Sequence, residues 1–223
     1  HRFIEGACLV NMASCWYNSG QLDSALTGFT LAQSIMQELG QTGAVASCAN
    51  NIANILFDRK EFGPALAAYQ SSLSAHEAIG DKTSMANTLV NISRVQRDMG
   101  DVRSSVSTAL RAFALADETG SVVEKSEAAL RLAKGYDLLN DHERAYRMLE
   151  THITLRDSLF SLNNQRGAIE QEERFKYEKK ALADSLASVV RIERAQNEHA
   201  LNSRNNGTSA TSPGEVQGWS PCC

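Results

Sequence analysis

Residues 9–20 read LVNMASCWYNSG, 49–60 ANNIANILFDRK, 89–100 LVNISRVQRDMG and 129–140 ALRLAKGYDLLN. Laid over one another, these stretches agree in pattern at an interval of 40 residues. Asn11, Asn51 and Asn91 align with Arg131; Met12, Ile52, Ile92 and Leu132 follow, and then the small residues Ala13, Ala53, Ser93 and Ala133. A small residue at that level lets two helices approach closely. The second half of each block repeats too. Ala25, Ala65, Ser105 and Ala145 precede Leu26, Leu66, Val106 and Tyr146, with Phe29 and Tyr69 three positions further on. Those spacings lay one apolar stripe along a helix. Gly20, Lys60, Gly100 and Asn140 share one register, and Gly40, Gly80 and Gly120 share a second. A period this long, without alternating β-branched runs, holds two helices of about five turns each plus two short turns. Each block therefore reads as a helical hairpin.

The small residue and aromatic of the first helix, the Gly-x-hydrophobic-x-x-Ala turn from Gly20 to Ala25, and the aromatic four residues later resemble the tetratricopeptide repeat. The resemblance spans roughly residues 3 to 159 and implies an all-α fold, an α-α superhelix of four hairpins over residues 1–159. The usual period of that family is about 34 residues, so the chain resembles its long-helix branch, and it lacks the closing proline of the consensus. Repeat three departs furthest, with Ser105 in place of alanine and Ala109 in place of the aromatic. The alternative architecture is another α-solenoid, of the HEAT kind.

Composition fits helices that run unbroken. There are 3 prolines in 223 residues, one of them Pro64 beside a helix start, where its missing N–H does least harm. With a net charge of −4 and both signs interspersed, no broad basic face points to nucleic acid or to an anionic membrane. No apolar run reaches the roughly 20 residues needed to span a bilayer, and no signal-peptide pattern is present. The chain opens at His1 inside a helical pattern, which reads as a fragment whose native start lies upstream. Either the cytoplasm or, behind a membrane anchor, the periplasm fits this composition.

Cys8 and Cys48 lie one repeat apart and align with Thr88 and Ala128, so both are expected to fill the core of a first helix. Cys15 has no histidine or carboxylate spaced to complete a zinc site. No zinc-protease, phosphate-loop, dinucleotide, nucleophile-elbow or kinase motif occurs, and the five histidines are scattered. Neither a catalytic centre, a metal nor a cofactor is expected. The paired acids Asp141/Glu143 and Glu172/Glu173 read as helix-start charges and solvated faces.

Function is then expected on the concave wall lined by the first helices. Asn51 and Asn91 recur there once per repeat, and Asn54, Arg94 and Lys134 lie three residues after the aligned positions, on the same face. In the resembled family, first-helix positions of this kind grip an extended peptide backbone or a terminal carboxylate. That implies a protein or peptide ligand held by Asn51, Asn54, Asn91, Arg94, Arg131 and Lys134, the three basic residues favouring an acidic segment or free carboxylate. The competing reading makes the asparagines structural links between helices. A co-chaperone clamp is disfavoured, because Ala7, Val10, Ser47 and Asn50 stand where that clamp has its lysines.

After Leu159 the repeat stops, and residues 160–204 are expected to form a long helix. Ala168, Glu172, Phe175, Lys179, Leu182, Leu186, Val189, Glu193, Gln196 and Ala200 make a heptad-like seam that is apolar only in its middle, a weak coiled coil able to join a homodimer over residues 168–201. The pieces Arg156-Asp157-Ser158-Leu159-Phe160 and Glu173-Arg174-Phe175-Lys176-Tyr177-Glu178-Lys179-Lys180 resemble the segment closing the array in Bacteroidetes-type signalling proteins. In those proteins the array is a sensor region ahead of a histidine kinase, nucleotide cyclase or DNA-binding output. Two readings follow: a binding module of a signal-transduction system, or the non-catalytic sensor portion of a larger kinase or cyclase. Residues 205–223, rich in Ser, Thr, Asn and Gly, are expected to be a disordered tail.

Overall fold

The computed structural model describes residues 1–207. Among these, eight α-helices follow one another without a strand: α1 Arg2–Asn18, α2 Leu22–Glu38, α3 Thr42–Asp58, α4 Phe62–Ile79, α5 Lys82–Asp98, α6 Val102–Thr119, α7 Val122–Leu138 and α8 His142–Gly207. The first seven are all 17 or 18 residues long. Consecutive helices pack as antiparallel neighbours, giving the stacked hairpins of a tetratricopeptide-like solenoid.

The turns explain the regular lengths. Gly20, Gly40, Lys60, Gly80, Gly100, Gly120 and Asn140 all have positive φ, between 61° and 89°. Each closes a helix with paired backbone bonds, such as Gln21 N–H to the Trp16 carbonyl at 2.8 Å and Gly20 N–H to the Tyr17 carbonyl at 3.0 Å. The same pair recurs at every turn, satisfying carbonyls that a helix end leaves open. On the far side, Asp81, Asp101 and Asp141 cap α5, α6 and α8 by accepting from the amides of Ser84, Ser104 and Arg144 at 3.0–3.1 Å.

Within each hairpin the crossing is made by the aligned small residues. Ala13, Ala25, Ala53 and Ala65 are wholly buried, with Phe29 and Tyr69 packed beside them. In the third hairpin serines replace both alanines and bond reciprocally. Ser105 Oγ donates to the Ser93 carbonyl at 2.8 Å, and Ser93 Oγ donates to the Ser105 carbonyl at 2.9 Å. No hydroxyl is left unpaired there, so this repeat closes as well as the others.

The apolar stripe differs from expectation at one position. Leu26 and Leu66 are only partly buried at the margins of their clusters, and Tyr146 is 68% exposed. They stand one residue beyond the crossing alanines, on the flank of the helix. Cysteine burial differs too: Cys48 is buried, whereas Cys8 is exposed. Helix α3 has α2 packed on it, while α1 has no helix on the equivalent side.

Helix α8 does not end near Leu159. Phe160 occupies the register of Gly40, Gly80 and Gly120, and a bulky aromatic does not adopt the left-handed conformation that closes the other helices. Two compact units result, the first His1–Leu162 and the second beginning at Asn163. In the second unit the helix carries exposed Ile169, Phe175 and Tyr177. Ion pairs one turn apart support it, Lys176–Glu172 at 2.7 Å and Arg174–Glu178 at 3.2 Å. The side chains of Leu182, Leu186 and Val189, the middle of the expected seam, and the tail beyond residue 207 lie outside the described residues. No described helix is long and apolar enough to cross a membrane.

Candidate functional site

The odd-numbered helices form one layer of the repeat unit. Helix α3 touches α5 and α5 touches α7, whereas the even-numbered helices make no comparable contact with each other. Closer spacing in the odd layer makes it the inner, concave side. On α5 the positions Ser84, Asn87, Asn91 and Arg94 succeed one another at helical spacing along this wall, and on α7 so do Glu124, Glu127, Arg131 and Lys134. The wall is polarised along the helix axes. Carboxylates stand near the N-terminal end of α7 and guanidinium groups towards the C-terminal ends of α5 and α7.

At the basic end, Arg94 and Arg131 are both half-buried and near enough to repel each other. Arg131 donates to Glu127 Oε2 at 2.8 Å, yet burial, ahead of the nearby arginines, holds its pKa below the ordinary guanidinium value. Arg94 stands over the Phe57 ring, its guanidinium carbon 4.0 Å from the centroid, and forms no ion pair among the described residues. The Nε atoms of both arginines are buried without a hydrogen-bond partner. Below Arg94, Tyr17 Oη donates to Asp58 Oδ2 at 2.5 Å, and burial plus that bond push the Tyr17 pKa up to about 12. Burial likewise raises Tyr69, whose hydroxyl donates to Asn54 Oδ1.

The six residues singled out from sequence thus divide. Arg94 and Arg131 come together, and Asn51 and Asn91 are half-buried on the same layer. Asn54 is held by Tyr69. Lys134 is exposed and borders a cavity of about 410 Å³ with Leu130, Tyr146 and Leu149 on the α7–α8 hairpin. Sequence reasoning missed Asn50, His76 and Glu124, which line a polar pocket with Asn51. The repeat register held a signal for one of them, since His76 aligns with Met36 and Ala116, both buried. Among the described residues, no cluster of three or more His, Cys, Asp or Glu is placed to hold a metal.

No protein-family model matches the chain, and no curated protein sequence is similar to it. Solved structures are. BtubC (BKLC) from P. vanneervenii superposes with a TM-score of 0.63 at 19% identity, covering 71% of this chain and 66% of that one. Aspartyl phosphate phosphatase F from Bacillus subtilis gives 0.68 at 18% identity, over 71% and 42%. A Rap protein complexed with competence and sporulation factor gives 0.65 at 18%, over 70% and 43%. The chain therefore spans less than two thirds of BtubC and less than half of the other two. At such identities the likeness is one of fold, a tetratricopeptide-like helical repeat.

Proposed function

We propose that the inner face of α3, α5 and α7 binds an extended peptide or protein segment, and that the chain is the interaction module of a signal-transduction system. The observation that carries this is the pair of half-buried arginines whose Nε atoms lack any acceptor. A buried donor without a partner costs about 1–3 kcal/mol, and a ligand carboxylate or backbone carbonyl that draws a guanidinium towards itself would remove that cost. Asn91 and Asn51 stand one and two repeats before Arg131 in the same register, and their amides offer a donor and an acceptor each to a passing backbone. Asn54 positions Tyr69, and Lys134 adds charge at the rim. A similar fold held in complex with a recognised factor supports a recognition role for such a surface.

The test is selection from a displayed random-peptide library with free C-termini, using the full chain as bait. Enriched sequences with an acidic or carboxylate-terminal anchor are expected, and the N51A/N91A/R131A variant should lose at least tenfold in affinity for them. No enrichment, or unchanged affinity at unchanged helicity, rejects the reading.

A second reading makes the chain the non-catalytic sensor portion of a larger histidine kinase or nucleotide cyclase. The uninterrupted 66-residue α8, which carries the two pieces resembling bacterial sensor proteins, favours it. Sequencing downstream of the corresponding codons decides, an in-frame output domain supporting it. We further propose that the second unit self-associates through α8, whose Ile169 and Phe175 are exposed.

A further inference from the structure

At the opposite end of the inner wall, a polar pocket of about 200 Å³ lies between α3, the C-terminal turn of α4, and the N-terminal turns of α5 and α7. Its lining is rich in acceptors. Ser47 Oγ donates to the Gly43 carbonyl at 3.0 Å and Thr88 Oγ to the Ser84 carbonyl at 2.9 Å, so both hydroxyls turn lone pairs, not protons, outward. The Ser84 amide is taken by Asp81. Asn50 Oδ1 is buried and accepts from nothing. His76, 2% exposed, has an Nδ1 with no partner, and Asp81 Oδ2 stands 3.8 Å away, beyond hydrogen bonding. Burial lowers the His76 pKa against the opposing pull of Asp81, which keeps the ring neutral at pH 7 and an acceptor on one nitrogen. Glu124 accepts from the Ser121 hydroxyl but pairs with no cation among the described residues, whereas neighbouring Lys125 is committed to Asp117.

Acceptors and an unpaired carboxylate therefore converge here, beside the Asn50, Asn51 and Asn87 amides, which can each turn an oxygen or an N–H towards a ligand. We propose that this pocket takes the cationic side chain of a bound segment, a lysine ammonium or an arginine guanidinium. Three or five N–H donors on one positive head match Glu124, Asn50 Oδ1, the Ser47 and Thr88 lone pairs and, in the tautomer protonated on Nε2, His76 Nδ1, and the volume suits one such head with part of its stem. The inference rests on reading the inner face as a recognition surface and adds a second anchor, opposite in sign to the Arg94–Arg131 pair. A ligand would then carry a basic residue and a carboxylate at separate positions, which fixes its direction across the wall.

The test uses the isotopically labelled full chain and small probes. Nα-acetyl-arginine amide and Nα-acetyl-lysine amide are titrated while the amide resonances of Ser47, Asn51 and Thr83–Thr88 are followed, with Nα-acetyl-norleucine amide as the uncharged control. Saturable shifts with at least one cationic probe and none with the control are expected. E124Q, which keeps the bond to Ser121, and N50A should each weaken the apparent affinity at least fivefold, while E143Q, on exposed α8 surface outside the pocket, leaves it unchanged. Absence of saturable shifts with both cations, equal shifts with norleucine amide, or insensitivity to E124Q and N50A overturns the proposal. Because no peptide is involved, such failure leaves the arginine-centred groove to be judged by its own selection experiment.

Discussion

Lys60 and Asn140 share the left-handed backbone of five glycines, and these seven residues determine where the first seven helices stop. A side chain in that conformation costs about 1–2 kcal/mol, whereas glycine in a helix costs about 1 kcal/mol relative to alanine. One substitution should therefore have opposite signs at two glycines. Gly80, which closes α4, has φ 72°, and Gly167 lies within α8, with open space around an added methyl group at both. Gly80→Ala should lower stability by about 1–2 kcal/mol, read from urea melts, and Gly167→Ala should favour the helix by up to ~1 kcal/mol, read as helicity by circular dichroism. At this scale the sequence was highly legible, because a glycine at fixed register marks a turn with little ambiguity. His76 and Asn50 were not, since burial of a polar atom without a partner depends on three helices meeting and leaves no trace in spacing.

Each element owes its place to a small crossing residue and a deep apolar one beside it. Leu132 is fully buried in the α6–α7 cluster, so Leu132→Ala should cost about 2–5 kcal/mol. Leu66, at a cluster margin, should cost closer to ~1 kcal/mol when truncated; thermal melting of the two variants compares them. The helix starts add a pH dependence. Hydrogen bonds from Ser84 hold the Asp81 carboxyl below its ordinary 3.8, so its contribution is complete above that value and is lost as pH falls towards the depressed folded pKa. Asp101 and Asp141 shift the same way, held by Ser104 and Arg144. Asp81→Asn keeps an acceptor at the cap but does not titrate there. Stability measured at pH 5 and pH 3 should thus fall less in the variant than in the parent chain. The period revealed which helices pair, but not that residue 66 sits on a flank while 65 is enclosed. That distinction turns on about 100° of helix rotation per residue, finer than a repeat alignment resolves.

For the whole molecule, the repeats were written in the sequence and the course of α8 only partly so. The pattern showed where the repeat ended; it did not show that the second helix of the last hairpin runs on, a consequence of Phe160 holding a turn position. If the second unit self-associates, sedimentation of the full chain should give a dimer and a version ending at Leu159 a monomer. Two monomers would remove that role from α8. Recognition by the inner layer is the central claim, and site-specific photo-crosslinking tests it most directly. A benzophenone amino acid replaces Asn87 on α5 or, in a second variant, exposed Leu110 on α6, and each is irradiated with a library-selected peptide. Crosslinking from position 87 and not from 110 is the expected result; crosslinking from 110 alone would contradict it.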